Sequence, residues 1–151
     1  MRGRIYCGYC AVKREMFFGW RLHLVCRPDG VPVRFQMLPA SLHDLTPVHE
    51  LAYDLTVGAR LLGDKAYNSA ADEASMLADT GVRLVPIRRD NIRPHAWFVD
   101  DIELRNFRHT IETRNSQLEK MGIERLHART NRGFELKVQA SLIALICSTM
   151  N

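Results

Sequence analysis

The feature that most restricts how this chain can fold is a short apolar run that ends in an acid. Residues 60–67 read Arg-Leu-Leu-Gly-Asp-Lys-Ala-Tyr, so apolar residues lead through Gly63 to Asp64, and a polar turn follows. This pattern predicts a short buried strand with a carboxylate at its C-terminal end. In open α/β sheets, ligand crevices form at that end of the strands, where an acid can face solvent and a metal. Taken alone, Asp64 is more typical of a residue that caps the next turn.

A helix predicted over about residues 102–120 carries a second acid. Its core stripe recurs at helical spacing and consists of Leu104, Phe107, Ile111 and Leu118. A polar stripe with the same period runs beside it and consists of Arg105, Arg108, Glu112, Asn115 and Glu119. Because Glu112 directly follows a core residue, we expect it at the margin of the buried face, where it can reach over a sheet edge. A routine surface salt bridge between Arg108 and Glu112 would explain the same pattern.

An antiparallel hairpin is predicted earlier in the chain. Residues 17–26 and 31–37 alternate between apolar and other side chains, and the Arg-Pro-Asp-Gly sequence at 27–30 between them favours a turn. The alternation predicts one face with Trp20, Leu22, Leu24 and Cys26, and an opposite face with Arg21 and His23. A weaker alternation of Ile5, Cys7 and Tyr9 predicts one more short strand.

The remaining elements are predicted from caps and stops. A helix begins with Thr46 as its N-cap and runs to about Leu55. A second helix is capped by Asn68 or Ser69 and ends before Gly81.

Three segments complete the chain. Residues 82–87 are predicted to form a strand that is broken late by Pro86, and residues 88–101 a basic loop. Residues 134–148 are apolar nearly all round a helix, so this last helix is expected to pack deeply.

Composition places the chain among ordinary globular proteins. Its 151 residues are 46% hydrophobic and 25% charged, which suits a single domain with a real core. No apolar run approaches the roughly 18 residues that a membrane span needs. No apolar segment of the kind found in secretion signals follows Met1, so we expect a cytoplasmic protein without membrane contact.

The net charge of +4 mildly favours binding to polyanions such as DNA. The cations form two groups in the second half of the chain, namely Arg83, Arg88, Arg89 and Arg93, and Arg125, Arg129, Arg132 and Lys137. Groups of this kind are more often plain solvated surface, so charge alone leaves DNA contact as the less favoured reading.

Four cysteines lie at positions 7, 10, 26 and 147, and with His23 the first three resemble a zinc site on paper. His23 and Cys26 are three residues apart in a predicted strand, which puts them on opposite faces. Reduced, partly buried thiols are the better explanation, and the role of Cys7 and Cys10 stays open.

The order of elements resembles the ribonuclease H-like core of DDE transposases from bacterial insertion sequences. Four motifs carry the resemblance over nearly the whole chain: residues 18–24, residues 38–40 with His43-Asp44, residues 63–67, and the Arg-x3-Glu sequence at 108–113. Any one of them is weak evidence, but four in the right order are specific.

The resemblance implies an α/β fold with a mixed sheet flanked by helices, and a site in which Asp64 and Glu112 are the second and third catalytic acids. They would bind two Mg²⁺ or Mn²⁺ ions that cleave and join DNA. Phosphate contacts would come from Lys65, Arg108, Arg114, Arg88 and Arg89, and accessory contacts from His43, Asp44, Asn115 and Glu119. A loop hydrogen bond is the more ordinary role for His43 and Asp44. An ion pair with Glu112 is an equally good role for Arg108.

Two departures from the family pattern matter. The family carries its first catalytic Asp on a central strand before the hairpin, whereas residues 1–16 contain no Asp. We therefore expect residues 1–151 to be a single partial domain that lacks this strand and one metal ligand. The family's tyrosine and lysine around the last motif are replaced by Arg105 and Glu119, with Lys120 next to the latter.

The leading hypothesis is thus a transposase domain that acts on insertion-sequence ends and target DNA in a homo-oligomer, and that is inactive as this chain alone. The alternative is a non-catalytic DNA-binding remnant or partner of an intact transposase. A third hypothesis is another metal-dependent nuclease.

Overall fold

A computed structural model describes the backbone of residues 3–10, 13–88 and 98–149, and their side chains except at 98–103 and 105. The chain divides into two compact units, one formed by Met1–Ser41 with Phe107–Asn151 and the other by Leu42–Asn106. Helices and small sheets alternate along the chain, so the predicted α/β class is confirmed. No helix within the described residues is both long enough and apolar enough to cross a membrane.

The first unit begins with a small hairpin, of which the sequence predicted one short strand and not its partner. A 3₁₀ turn at Arg4–Tyr6 precedes strand β1 (Cys7–Cys10), which pairs antiparallel with β2 (Glu15–Phe18). The predicted start of the next strand at residue 17 is therefore wrong, because Phe17 and Phe18 belong to this separate pair. Gly19 separates β2 from the strand that begins at Trp20, and its N–H donates to the carbonyl of Tyr6 at 2.8 Å.

The main hairpin is confirmed. Strand β3 (Trp20–Cys26) pairs antiparallel with β4 (Pro32–Pro39), and Gly30 takes a φ of 84° in the turn between them. His23 is only 5% exposed, so the face that carries it is not simply the solvent face.

Two helices cover this hairpin. Helix α3 (Phe98–Lys120) begins earlier than expected, and Gly122 follows it with a φ of 82°. Helix α4 (Asn131–Thr149) packs one face against β3 and β4, in a core that contains Leu118, Val138, Leu142 and Leu145. The prediction that α4 is buried nearly all round is wrong, since Leu136 and Ile143 are 57% and 61% exposed.

The second unit contains helix α1 (Val48–Ala52), strand β5 (Arg60–Gly63), helix α2 (Ala70–Thr80) and strand β6 (Arg83–Pro86). Strands β5 and β6 are parallel, and the helix between them supplies the crossover that a parallel pair needs. The core of this unit consists of Val48, Ala52, Met76, Val82 and Leu84.

The predicted ends of these helices are confirmed for α2 and wrong for α1. Ser69 caps α2 by accepting from the Asp72 N–H, and Gly81 ends it with a φ of 68°. Helix α1 is capped at Pro47 without a side-chain hydrogen bond, so Thr46 is not its N-cap. It ends at Ala52, and Asp54 follows with a φ of 65°, which no helix continues through.

The described strands form three two-stranded sheets, β1–β2, β3–β4 and β5–β6. A single ribonuclease H-like mixed sheet stays a prediction. The predicted basic loop lies largely at residues 89–97, outside the described residues.

Candidate functional site

Asp64 lies directly after β5, at the carboxyl end of the parallel pair. Its Oδ1 accepts a hydrogen bond from the Ala66 N–H at 2.8 Å, which caps the 3₁₀ turn Lys65–Tyr67. The capping role that the sequence allowed is therefore observed. The side chain is also exposed, so the same carboxylate is accessible from solvent.

Asn68 links the turn that carries Asp64 to the end of β6. Its Nδ2 donates to the carbonyl of Lys65 at 3.2 Å and to the carbonyl of Ile87, which follows β6. The Ile87 N–H in turn donates to the carbonyl of Gly63 at 2.9 Å. The two strand ends are thus joined by backbone and side-chain bonds immediately beside Asp64.

Arg88 extends this network to α2. Its two terminal nitrogens donate to the two carboxylate oxygens of Glu73, both at 2.6 Å, and Nη1 lies 3.4 Å from the Asn68 Oδ1. The hydrogen bonds that Arg88 donates to the Glu73 carboxylate raise the pKa of Arg88. Arg88 was predicted to contact DNA, and any such contact would compete with this bidentate pair. Arg89, predicted with it, lies outside the described residues.

Three other predicted residues belong to this second unit. Lys65 is exposed beside Asp64 in sequence. His43 accepts a hydrogen bond from the Leu45 N–H at 3.2 Å through Nδ1, which is the loop role that the sequence favoured over metal contact. Asp44 is half-buried in the same loop.

Glu112 lies on α3 in the first unit, one residue after the half-buried Ile111. Its Oε1 accepts from Arg108 Nε at 2.7 Å, and the two side chains are 58% and 59% exposed. The ion pair that the sequence offered as an alternative for Arg108 is therefore present. Asn115 and Glu119 are exposed further along the same helix.

A shallow depression of about 340 Å³ runs along α3 and includes Glu112. Its lining residues are His109, Glu112, Thr113, Ser116, Gln117 and Lys120. These residues recur at helical spacing, and nothing in the sequence distinguishes them from the solvated polar surface of an ordinary helix. The depression gives Glu112 neighbours that can donate hydrogen bonds.

Arg114 faces the main hairpin. Its Nη2 donates to the carbonyl of Asp29 at 3.2 Å and its Nη1 to Gln117 Oε1 at 2.9 Å. The guanidinium lies so close over Gly30 that a Cβ added there would be 2.8 Å from Arg114 Cζ. The structure thus gives Arg114 an intramolecular partner in place of a free position for phosphate.

The two predicted acids belong to different compact units, Asp64 to the second and Glu112 to the first. Within the ranges that the structure describes, no group of three His, Cys, Asp or Glu side chains could hold a metal ion. Their convergence on one metal site stays a prediction.

Comparison with known proteins adds one finding. A family model described as a transposase DDE domain matches residues 8–131 of the chain. No match was found among curated proteins or among solved structures.

Proposed function

Since this chain belongs to the transposase DDE domain family, we propose that it acts in DNA transposition, through metal-dependent cleavage and joining of insertion-sequence DNA. The position of Asp64 carries the proposal, because the residue follows a parallel strand directly and presents an exposed carboxylate. Glu112, exposed on α3, is the second proposed ligand. The active assembly is proposed to be a homo-oligomer, since joining two DNA ends to a target requires more than one site.

The chemistry of the two side chains suits a divalent cation. Mg²⁺ and Mn²⁺ are hard ions that prefer carboxylate oxygens. Asp64 already accepts one hydrogen bond from the Ala66 N–H, and a carboxylate has about four lone-pair sites, so the cap and a metal can share it. When bound, two such ions activate the attacking hydroxyl and neutralise the leaving oxygen of a phosphodiester. Asp64 and Glu112 would hold them.

We propose that Arg108 leaves its ion pair with Glu112 and binds a DNA phosphate when DNA is present. Its ion pair with Glu112 is exposed on both sides, and exposed i,i+4 pairs contribute only about 0.3–0.5 kcal/mol. A guanidinium binds phosphate bidentately and more strongly, so DNA can take Arg108 and leave Glu112 to a metal. Lys65 is the further cation that we propose to contact phosphate, since it adjoins Asp64 and is exposed.

Two carboxylates would hold two ions weakly. Residues 1–16 contain no aspartate that could supply a third. We therefore propose that these 151 residues alone bind a divalent metal without cutting DNA. Strand cleavage by this chain that Asp64→Asn abolishes would overturn this part of the proposal.

The proposed ligands can be tested by Mn²⁺ binding, followed as the loss of the free-ion signal in electron paramagnetic resonance. We expect Asp64→Asn and Glu112→Gln each to weaken binding at least tenfold. Glu135→Gln is the control, because Glu135 is an exposed acid on α4 that no part of the proposal uses. Equal affinities for all four proteins would contradict the proposal.

Duplex DNA binding separates the transposase proposal from the alternatives. In the proposed function, Mg²⁺ strengthens binding and Arg108→Gln weakens it, with a smaller dependence on salt. Binding that ignores both Mg²⁺ and Glu112→Gln would indicate a non-catalytic DNA-binding protein. Hydrolysis without strand joining would indicate a nuclease.

A further inference from the structure

We propose that Asn68 is a positioning residue that fixes the Asp64 carboxylate for metal binding. This inference rests on the proposed function, because it takes Asp64 as a metal ligand. It concerns a side chain that the sequence suggested only as a helix cap, whereas Ser69 makes that cap.

The contacts of Asn68 place it between the two ends of the parallel pair. One amide group, Nδ2, donates to the carbonyls of both Lys65 and Ile87. Lys65 is the residue after Asp64, and Ile87 is the residue after β6. A single half-buried side chain therefore ties the turn that begins at Asp64 to the neighbouring strand end.

The amide is itself held in place. Its Oδ1 lies 3.4 Å from Arg88 Nη1, and the same Arg88 forms two hydrogen bonds of 2.6 Å with Glu73 on α2. Because Arg88 can only donate, it selects the orientation in which the oxygen of Asn68 faces Arg88 and the NH₂ faces the two carbonyls.

The orientation of the Asp64 carboxylate depends on the two hydrogen bonds that Asn68 donates. The Asp64 carboxylate is oriented by the hydrogen bond that it accepts from the Ala66 N–H. Ala66 belongs to the 3₁₀ turn Lys65–Tyr67, and the carbonyl of Lys65 in that turn accepts the hydrogen bond from Asn68. Losing the Asn68 amide would leave two carbonyls without this donor and let the turn move away from β6. Groups that orient a metal ligand typically affect metal affinity 10–100-fold.

A matched pair of variants separates positioning from stability. Asn68→Ala removes the tie, and Ser69→Ala removes the cap of α2 one residue later without touching the bonds of Lys65, Ala66 or Ile87. We expect Asn68→Ala to weaken Mn²⁺ binding 10–100-fold and Ser69→Ala to change it less than twofold. Melting temperatures of both variants show how far each loses stability.

Hydrogen exchange of the Ala66 amide gives a readout that needs no metal. Asn68→Ala should speed this exchange at least tenfold relative to the amide of Met76 in α2, while Ser69→Ala should not. Should Asn68→Ala leave both the Ala66 exchange and the Mn²⁺ affinity within twofold of the parent chain, the positioning role is wrong.

The outcome for Asp64→Asn distinguishes this inference from the proposed function. If that variant loses Mn²⁺ binding and Asn68→Ala does not, the positioning role fails and the metal site stands. If Asp64→Asn keeps full Mn²⁺ affinity, the proposed metal site fails, and the role of Asn68 toward a metal fails with it.

Discussion

Replacing Gly30 by alanine tests how tightly α3 is joined to the main hairpin. Gly30 has a φ of 84°, and an added Cβ would lie 2.8 Å from Arg114 Cζ. Two costs follow: a left-handed backbone that an L side chain adopts at about 1–2 kcal/mol, and displacement of the guanidinium. That group donates to the carbonyl of Asp29, and hydrogen bonds to charged groups contribute about 1.5–3 kcal/mol. Because Arg114 can partly shift, we expect Gly30→Ala to lower the free energy of unfolding by about 2–4 kcal/mol.

The chain offers a control for the backbone cost alone. Gly122 has a φ of 82°, and nothing lies within 4 Å of a Cβ added there. Gly122→Ala should therefore cost only about 1–2 kcal/mol. Urea unfolding followed by circular dichroism measures both variants under one protocol.

A double-mutant cycle isolates the contribution of the guanidinium. In an Arg114→Ala background the obstacle is gone, so Gly30→Ala should cost no more than Gly122→Ala does in the parent chain. If Gly30→Ala costs the same with and without Arg114, the guanidinium does not hold the turn. The packing described for this unit would then be wrong at that point.

Three further predictions concern single side chains. Burial raises the pKa of the Cys26 thiol to about 11, so alkylation at pH 8 should modify the exposed Cys7 much faster than Cys26, and equal alkylation rates would contradict this. The neutral thiol should also contribute stability that is fully present below about pH 9 and is lost as the pH rises through about 11. Met76 is fully buried in the second unit, so Met76→Ala should cost about 2–5 kcal/mol in chemical unfolding, and a loss below 1 kcal/mol would argue against that core. Arg108→Gln should lower stability by less than about 0.5 kcal/mol, because its pair with Glu112 is exposed; a larger loss would mean that the pair is structural.

Local signals predicted three features of the second unit correctly, although they gave the wrong cap and the wrong end for α1. The apolar run that ends at Asp64, the cap at Ser69 and the stop at Gly81 each depend on residues within a few positions, and all three are observed. The same holds for the turn at Gly30. Turns and helix caps depend on the side chains of neighbouring residues, so sequence alone can often identify them.

Tertiary choices could not be predicted in the same way. The role of Arg114 depends on a carbonyl 85 residues away, and nothing near Arg114 in the sequence indicates it. The exposed Leu136 and Ile143 on α4 look identical to core residues until the neighbouring layer is known. The sequence suggested Asn68 as a helix cap. Its bond to the carbonyl of Ile87 could not be predicted, because Ile87 follows the other strand of the parallel pair, 19 residues away.

The candidate site shows the same division. Its acids could be chosen from motifs, and the structure places each on the element expected for it, Asp64 after a strand and Glu112 on a helix. Whether they share a metal depends on how distant segments assemble, which no local pattern specifies.

The central claim is that Asp64 and Glu112 hold the same metal site. A crystal of this chain grown with Mn²⁺ tests it most directly, because anomalous scattering locates the ion independently of the protein. We predict an ion, or a close pair of ions, bound by carboxylate oxygens of both residues. Mn²⁺ bound by one of the two acids while the other takes no part in its coordination would contradict it.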